Sequence, residues 1–168
     1  MAKNKGSDTE KTIAMICSAY RKAGRANIRK VDPPTLTMGK GRTILLENPF
    51  LDFMGVWTEA GRRSITFEVK RTAEPRLPVN RPGQSGITVK QWQCLQDWDR
   101  AGACTFILWH HPTTANPHGI RILTIELIRQ ALQETERASV PWNRAIKVER
   151  GNGFITHDFL NTAKHLTI

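Results

Sequence analysis

The run ACTFILWHH, residues 103–111, constrains this chain more than any other stretch. Successive side chains of a strand point to opposite faces, and here both faces are apolar as far as Trp109. Such a strand belongs in the middle of a sheet that is covered on both sides. With 168 residues, 39% of them hydrophobic, the chain can build the core this demands without disulfides or structural metal.

The rest of the pattern supplies the layers. Ile13, Met15, Ile16, Cys17, Ala19 and Tyr20 recur at near-helical spacing, which predicts a helix over about 8 to 23, with Ser7 or Thr9 as N-cap and Gly24 as its stop. ANIRKV predicts a short strand ended by DPP. TLTMGKGRTILLENP, two apolar arms around a Gly-Lys-Gly-Arg tip, predicts a protruding hairpin or flexible finger at about 35–49. FLDFMGVW and RSITFEVK, residues 50–57 and 63–70, read as strands joined by a hairpin. RTAEPRLPVNRPGQSG reads as an extended loop, and a helix of about 13 residues is expected from near Thr88 to a stop at Gly102. HGIRILT is a further strand, and TIELIRQALQETER an amphipathic helix with Ile125, Ile128, Leu132 and Leu127 turned inward. A hairpin around Gly151-Asn152-Gly153 and a short helix close the chain. The expected fold is α/β (α+β): a single domain over residues 1–168, with a central mixed β-sheet flanked by helices, a finger between its first two strands, and a flexible basic N-terminus at 1–7.

Charge narrows the function. The formal net charge is +10, and it is uneven: residues 1–42 hold ten Lys and Arg against three acids, while the remaining 126 hold fifteen against twelve. Phosphate backbones are the usual partner of such a patch, which includes Arg25, Arg29 and Lys30; a solvated surface is the plainer alternative. Cys17, Cys94 and Cys104 are widely spaced and form no CxxC pair, which fits a reducing compartment. The longest apolar run is too short to cross a bilayer and MAKNKGSDTEK lacks a secretion-signal core, so the expected location is cytoplasmic, with no membrane partner.

The stretch ITFEVKRT, residues 65–72, carries the chemistry. Ile65, Phe67 and Val69 share one face; Thr66, Glu68, Lys70 and Thr72 share the other. Taken alone this describes an edge strand with a solvated outer face. Asp52, however, lies in the preceding strand segment, and pairing through the hairpin brings it near Glu68, because paired strands lie about 4.8 Å apart. Two carboxylates that close repel unless a cation lies between them, and magnesium prefers oxygen ligands. Such a centre polarises a phosphoryl oxygen and activates water, with the Lys70 ammonium placed to orient the water or offset developing negative charge.

LDFMGVW and ITFEVKRT are together similar to the Asp…Glu-x-Lys core of the restriction-endonuclease-like nuclease superfamily. More closely, the chain resembles the RecU-type Holliday junction resolvases of Gram-positive bacteria and their phages. The likeness rests on ordered blocks: the N-terminal helix, ANIRKVDPPT, the finger, LDFMGVW, FEVKRT, LPV, VKQWQCLQDW and GACTFILW, over about residues 8–110, with a weaker echo in FITHDFL. The resemblance implies that Asp52 and Glu68 are metal ligands, joined by the Val69 carbonyl, that Lys70 is the catalytic lysine, and that Gln91 positions the attacking water or the phosphate. Glu10 matches an acid that some superfamily members contribute from the first helix; an acid favourably placed against the helix dipole is the alternative. The family's finger enters the open centre of a four-way junction, which implies junction contacts for Lys40 and Arg42 on a finger shorter than the family's stalk. Arg71, Thr72, Arg76 and Arg81 become candidate DNA contacts, with a solvated loop as the alternative for the arginines.

Other candidates carry less. His110, His111 and His118 flank a proline-containing turn without metal-ligand spacing, and Trp92, Leu95 and Trp98 are expected in the core. The implied activity is a Mg2+-dependent endodeoxyribonuclease, with Mn2+ substituting, that acts as a homodimer on four-way junction DNA. It nicks two opposed strands to leave 5′-phosphate and 3′-hydroxyl ends, with recombinase or branch-migration proteins as further partners. Two rivals stand beside it: a restriction-type or general phage DNase of the same superfamily, and a non-catalytic DNA-binding module, against which the intact acid, acid and lysine argue.

Overall fold

The computed structural model describes residues 5–38, 42–45, 51–80, 86–112, 119–135 and 137–166. Helix α1 (Lys5–Lys22) leads into β1 (Ala26–Lys30), then a ribbon of β2 (Thr35–Met38) and β3 (Arg42–Leu45), then β4 (Phe53–Trp57) and β5 (Arg63–Arg71). After these come β6 (Arg76–Pro78), α2 (Val89–Arg100), β7 (Cys104–His110), β8 (Ile120–Thr124), α3 (Ile125–Glu134) and β9 (Ser139–Pro141). A 3₁₀ turn at Trp142–Arg144, β10 (Ile146–Lys147), β11 (Glu149–Arg150), β12 (His157–Asp158) and α4 (Phe159–Lys164) complete the order.

Six strands form one mixed sheet in the order β1-β4-β5-β7-β8-β10. Only β5 and β7 run parallel within it; the other pairs are antiparallel. The doubly apolar run of the sequence is β7, and it sits at the centre with every residue from Cys104 to Trp109 buried. Its face toward α1 and α4 packs Ile13, Ile16, Tyr20, Phe67, Phe106 and Phe159. The opposite face packs Ile107 and Trp109 against Leu95 of α2, and Ile125 and Ile128 of α3. Across β4, β5 and β7 the registered residues Phe53, Phe67 and Phe106 stack ring on ring, with successive centroids 5.0 Å apart.

Several expectations are corrected. The strand bearing Glu68 and Lys70 is not an edge strand: β5 is paired on both sides, and Thr66 and Glu68 are only 2% and 3% exposed. The strand expected over 50–57 begins at Phe53, so Asp52 lies in a bend just before it. Helix α1 begins at Lys5, ahead of both proposed caps, and Thr9 inside it is paired with His110 Nδ1 at 2.9 Å. The segment expected to be wholly extended loop contains β6, which pairs with β9 some sixty residues later. Ser139–Pro141 was not anticipated as a strand at all, because its three residues carry no alternation and its pairing is entirely non-local.

The finger segment pairs as a ribbon, Thr35 opposite Leu45 and Met38 opposite Arg42, separate from the main sheet. Its tip with Lys40, along with Arg81, His118 and residues 1–4 of the expected flexible N-terminus, lies outside the described residues. No helix among the described residues is long and apolar enough to cross a membrane.

Candidate active site

Asp52 is fixed from three directions. Its carbonyl accepts from Val31 N at 2.8 Å, its own N–H donates to Glu68 Oε2 at 3.3 Å, and its carboxylate Oδ2 accepts from Val69 N at 2.8 Å. The β4–β5 ladder ends at Phe53 opposite Phe67, and one step further the Asp52 side chain takes up the β5 backbone donor that the departing strand leaves. The carboxylate is therefore held beside Glu68 by the backbone donor at the end of the ladder.

Glu68 points to the α2 face and is gripped there. Its Oε1 accepts from Lys70 Nζ at 2.9 Å and from Gln91 Nε2 at 2.5 Å. Gln91 Oε1 in turn accepts from Lys70 Nζ at 2.9 Å, closing a ring of three side chains. The same Oε1 accepts from Thr88 N at 3.1 Å, while Thr88 Oγ1 accepts from Gln91 N at 3.2 Å. Gln91 is thus the third helical residue of a capping box, so the fold element that starts α2 also locks a site residue. Sequence reading identified Gln91 but missed this second role, although Thr-x-x-Gln at the expected helix start is its local signature.

Burial dominates the electrostatics. It pushes the Glu68 carboxyl up to about 7, against the Lys70 ammonium, with the Asp52 charge adding to the rise. Asp52 is raised by burial and by the Glu10 carboxylate, in opposition to the Val69 N–H and the Lys70 charge. Glu10 acts on Asp52 through its charge while its own Oε2 is paired with Lys30 Nζ at 2.8 Å.

Among the described residues no group of three or more His, Cys, Asp or Glu side chains converges to hold an ion. The donor set is instead two neighbouring carboxylates, both buried enough that their proton affinity is raised above that of an ordinary carboxylate. That chemistry fits a hard divalent cation, whose charge would take the place of the proton.

The candidate DNA contacts divide. Arg71 is half-buried at the end of β5, and Arg29 and Lys30 are exposed on β1. Arg76 is engaged within the fold, donating to Ser139 Oγ at 2.9 Å and to the Ser139 carbonyl at 2.8 Å. Arg25 bridges Glu59 at 2.9 Å and Asp158 at 2.8 Å, tying the start of the sheet to the N-cap of α4. Thr72 is buried, its carbonyl bonded to His111 Nδ1 at 2.9 Å and its Oγ1 accepting from Glu74 N at 3.0 Å. Arg42 is in β3 opposite Met38. His110 and His111 are occupied by Thr9 and Thr72, respectively. Leu95 is fully buried, with Trp92 packed against the same core. Cys17 and Cys104 are buried free thiols, and Cys94 is a half-buried one.

No curated protein matches the sequence. Among solved structures, Hjc of Archaeoglobus fulgidus, described as a Holliday junction resolvase from an archaeal hyperthermophile, matches with 14% identity and a TM-score of 0.48, covering 79% of this chain and 89% of that one. The family model described as Recombination protein U, RecU, matches residues 4–154, which spans α1 through the β11 region and includes Asp52, Glu68, Lys70 and Gln91. A match over nearly the whole length places the chain: it belongs to the RecU family of Holliday junction resolvases.

Proposed function

We propose that the chain is a divalent-metal-dependent endodeoxyribonuclease, with Mg2+ as the ion and Mn2+ able to substitute, that resolves four-way junctions as a homodimer by symmetric paired nicking. The observation that carries this reading is the buried Glu68 carboxylate, flanked by Asp52 and gripped by Lys70 and Gln91 at the end of a central strand. A solvated face would not bury an acid to 3% exposure in a site that also raises its proton affinity.

In this reading Asp52 and Glu68 hold the ion, with the Val69 carbonyl as a third oxygen and Glu10 as an additional acid. When bound, the ion supplies Lewis-acid charge and a more acidic water. Lys70 stands beside the developing negative charge of the phosphorane and offsets it. Gln91 holds Lys70 and Glu68 in fixed relation, so their geometry is set before substrate arrives. Water oxygen adds to phosphorus and the bond to the 3′ oxygen breaks, leaving a 5′-phosphate and a 3′-hydroxyl. Arg29, Arg71, Lys40 and Arg42 are the basic residues proposed to meet DNA, the last two from the finger; the protein would act in the cytoplasm beside recombinase or branch-migration proteins.

The test is cleavage of a labelled immobile four-way junction with Mg2+, set against linear duplex of the same sequence. Paired symmetric nicks on the junction alone are expected, falling by at least about a hundredfold in Glu68→Gln and in Lys70→Ala. Equal cutting of linear duplex would replace the resolvase by a general nuclease. Binding without cutting under Mg2+ or Mn2+ would replace it by a DNA-binding module.

A further inference from the structure

The row of the sheet that contains the Lys70 backbone continues to the far edge: Lys70 is paired with Trp109, Trp109 with Arg121, and Arg121 with Lys147. Residues paired across adjacent strands project to the same face, so Lys70, Arg121 and Lys147 share the α2 and α3 side. Three interstrand steps place Lys147 about 14 Å from Lys70 across the sheet. At that edge a cleft of about 830 Å³ opens around β8 and β10, with Arg121, Trp142 and Lys147 reaching it from the α2 and α3 side and Thr12, Ile120 and Val148 from the α1 and α4 side, bounded by the turn between β11 and β12. Arg121, Lys147, Arg150 and His157 line it, with no Asp or Glu among the described lining residues.

Arg121 is held in an unusual manner for a structural arginine. Its Nη1 donates to the carbonyls of Trp142 at 3.1 Å and Ala145 at 3.2 Å, and its guanidinium lies 4.6 Å from the centre of the Trp142 ring. Carbonyl dipoles and an indole face fix the orientation without cancelling the charge, as a carboxylate would. Lys147 and Arg150 are exposed beside it. On the hairpin that bounds the cleft, Phe154 follows Gly153, whose φ is +60°, and is 80% exposed. Fixed positive charge, no acid among the described lining residues and an exposed aromatic on the bounding hairpin are the parts of a nucleic-acid contact: phosphates for the cations, sugar or base surface for the ring.

We propose that this cleft is a second DNA contact, in which Arg121, Lys147 and Arg150 hold backbone phosphates of the strand running on from the cutting site while Phe154 packs on its sugars or bases. The proposal rests on the nuclease reading. The spacing suits it, since about 14 Å is about four base-pair steps along a duplex axis. The cleft would thus fix the direction of the DNA arm relative to Lys70, with Thr12 of α1 at its wall.

The test is binding of a labelled four-way junction over a range of salt concentrations, in Ca2+ so that cutting does not intervene, with folding of each variant checked by its thermal midpoint. The double variant Lys147→Ala with Arg150→Ala is expected to weaken binding about tenfold and to reduce the slope of log affinity against log salt by about 1 to 2. Phe154→Ala should weaken binding with the slope unchanged. A folded double variant that keeps both the affinity and the slope of the unmodified protein overturns the proposal and assigns the cleft to an acidic protein partner or to solvent. The unmodified protein separates the two readings: if it binds and cuts the junction while the double variant is indistinguishable from it, only the second contact fails; if it binds no DNA, both fail.

Discussion

At Glu68 a carboxylate is placed where its proton affinity is raised. Its ordinary value of 4.5 rises to about 7, chiefly through burial, even with the Lys70 ammonium at 2.9 Å. A raised folded-state value means that folding takes up a proton between the two. The group's contribution to stability is therefore fully present below 4.5 and is lost as pH rises through about 7. In the presence of chelator, the thermal midpoint should fall across that window, and Glu68→Gln, which cannot titrate, should show a smaller fall. Divalent metal should reverse the trend by favouring the deprotonated carboxylates, so stabilisation by Mg2+ should grow from pH 5.5 to 7.5. A midpoint equally pH-dependent in the variant would remove Glu68 as the source. The proximity of Asp52 to Glu68 and Lys70 was legible from strand alternation and hairpin pairing, and Gln91 from the family resemblance, whereas Glu68 and Lys70 taken alone read as a solvated edge-strand face. What was not legible is what fixes them: the Val31 N–H on the Asp52 carbonyl is a contact between segments whose pairing the local sequence does not encode.

Among the elements, the β1–β4 pair decides how firmly Asp52 is held. Gly55 sits opposite Ile28, and a Cβ added there would lie 2.0 Å from the Asn27 carbonyl oxygen and 2.7 Å from Ile28 Cα. Both are backbone atoms, so no side-chain rotation relieves the overlap and the two strands must part. Gly55→Ala should destabilise the fold by about 1–3 kcal/mol or more, read as a lower urea midpoint. It should also lower junction cleavage in the fraction that remains folded, because Val31, which follows β1, anchors Asp52. Unchanged stability would mean that β1 does not press on β4 as closely as the backbone positions require. Sequence pattern found β4, β5, β7, β8, α2 and α3 through hydrophobic period and terminal signals. It missed β6 and β9, whose three-residue lengths and prolines at Pro78 and Pro141 leave no periodicity to read. The α1 start was misplaced because Thr9, a good cap by type, is spent on His110.

For the whole molecule, the question is how one buried site per chain would produce the two cuts of the proposed reaction. Asp52, Glu68, Lys70 and Gln91 all come from a single chain and make one such centre, in which Glu68, Lys70 and Gln91 hold one another and Asp52 is tied to Glu68 Oε2 through its N–H and to Val69 N through its carboxylate. A four-way junction is two-fold symmetric, so two opposed strands meet equivalent chemistry only if two centres are related by the same symmetry. The proposed homodimer therefore predicts a dose effect that a monomer cutting twice does not. Unmodified protein mixed in equal amounts with Lys70→Ala, and allowed to exchange subunits, should give about half mixed dimers and about a quarter fully competent ones. A mixed dimer has one working centre, so it should nick one strand and leave the junction unresolved, and nicked intermediate should accumulate as full resolution falls toward about a quarter. If one chain performs both cuts in turn, the mixture should instead resolve junctions in proportion to the unmodified protein present, with no excess of singly nicked product. The amount of nicked junction at fixed total protein distinguishes the two directly, because Lys70→Ala leaves both carboxylates and the proposed DNA-contacting basic residues in place and removes only the ammonium beside Glu68.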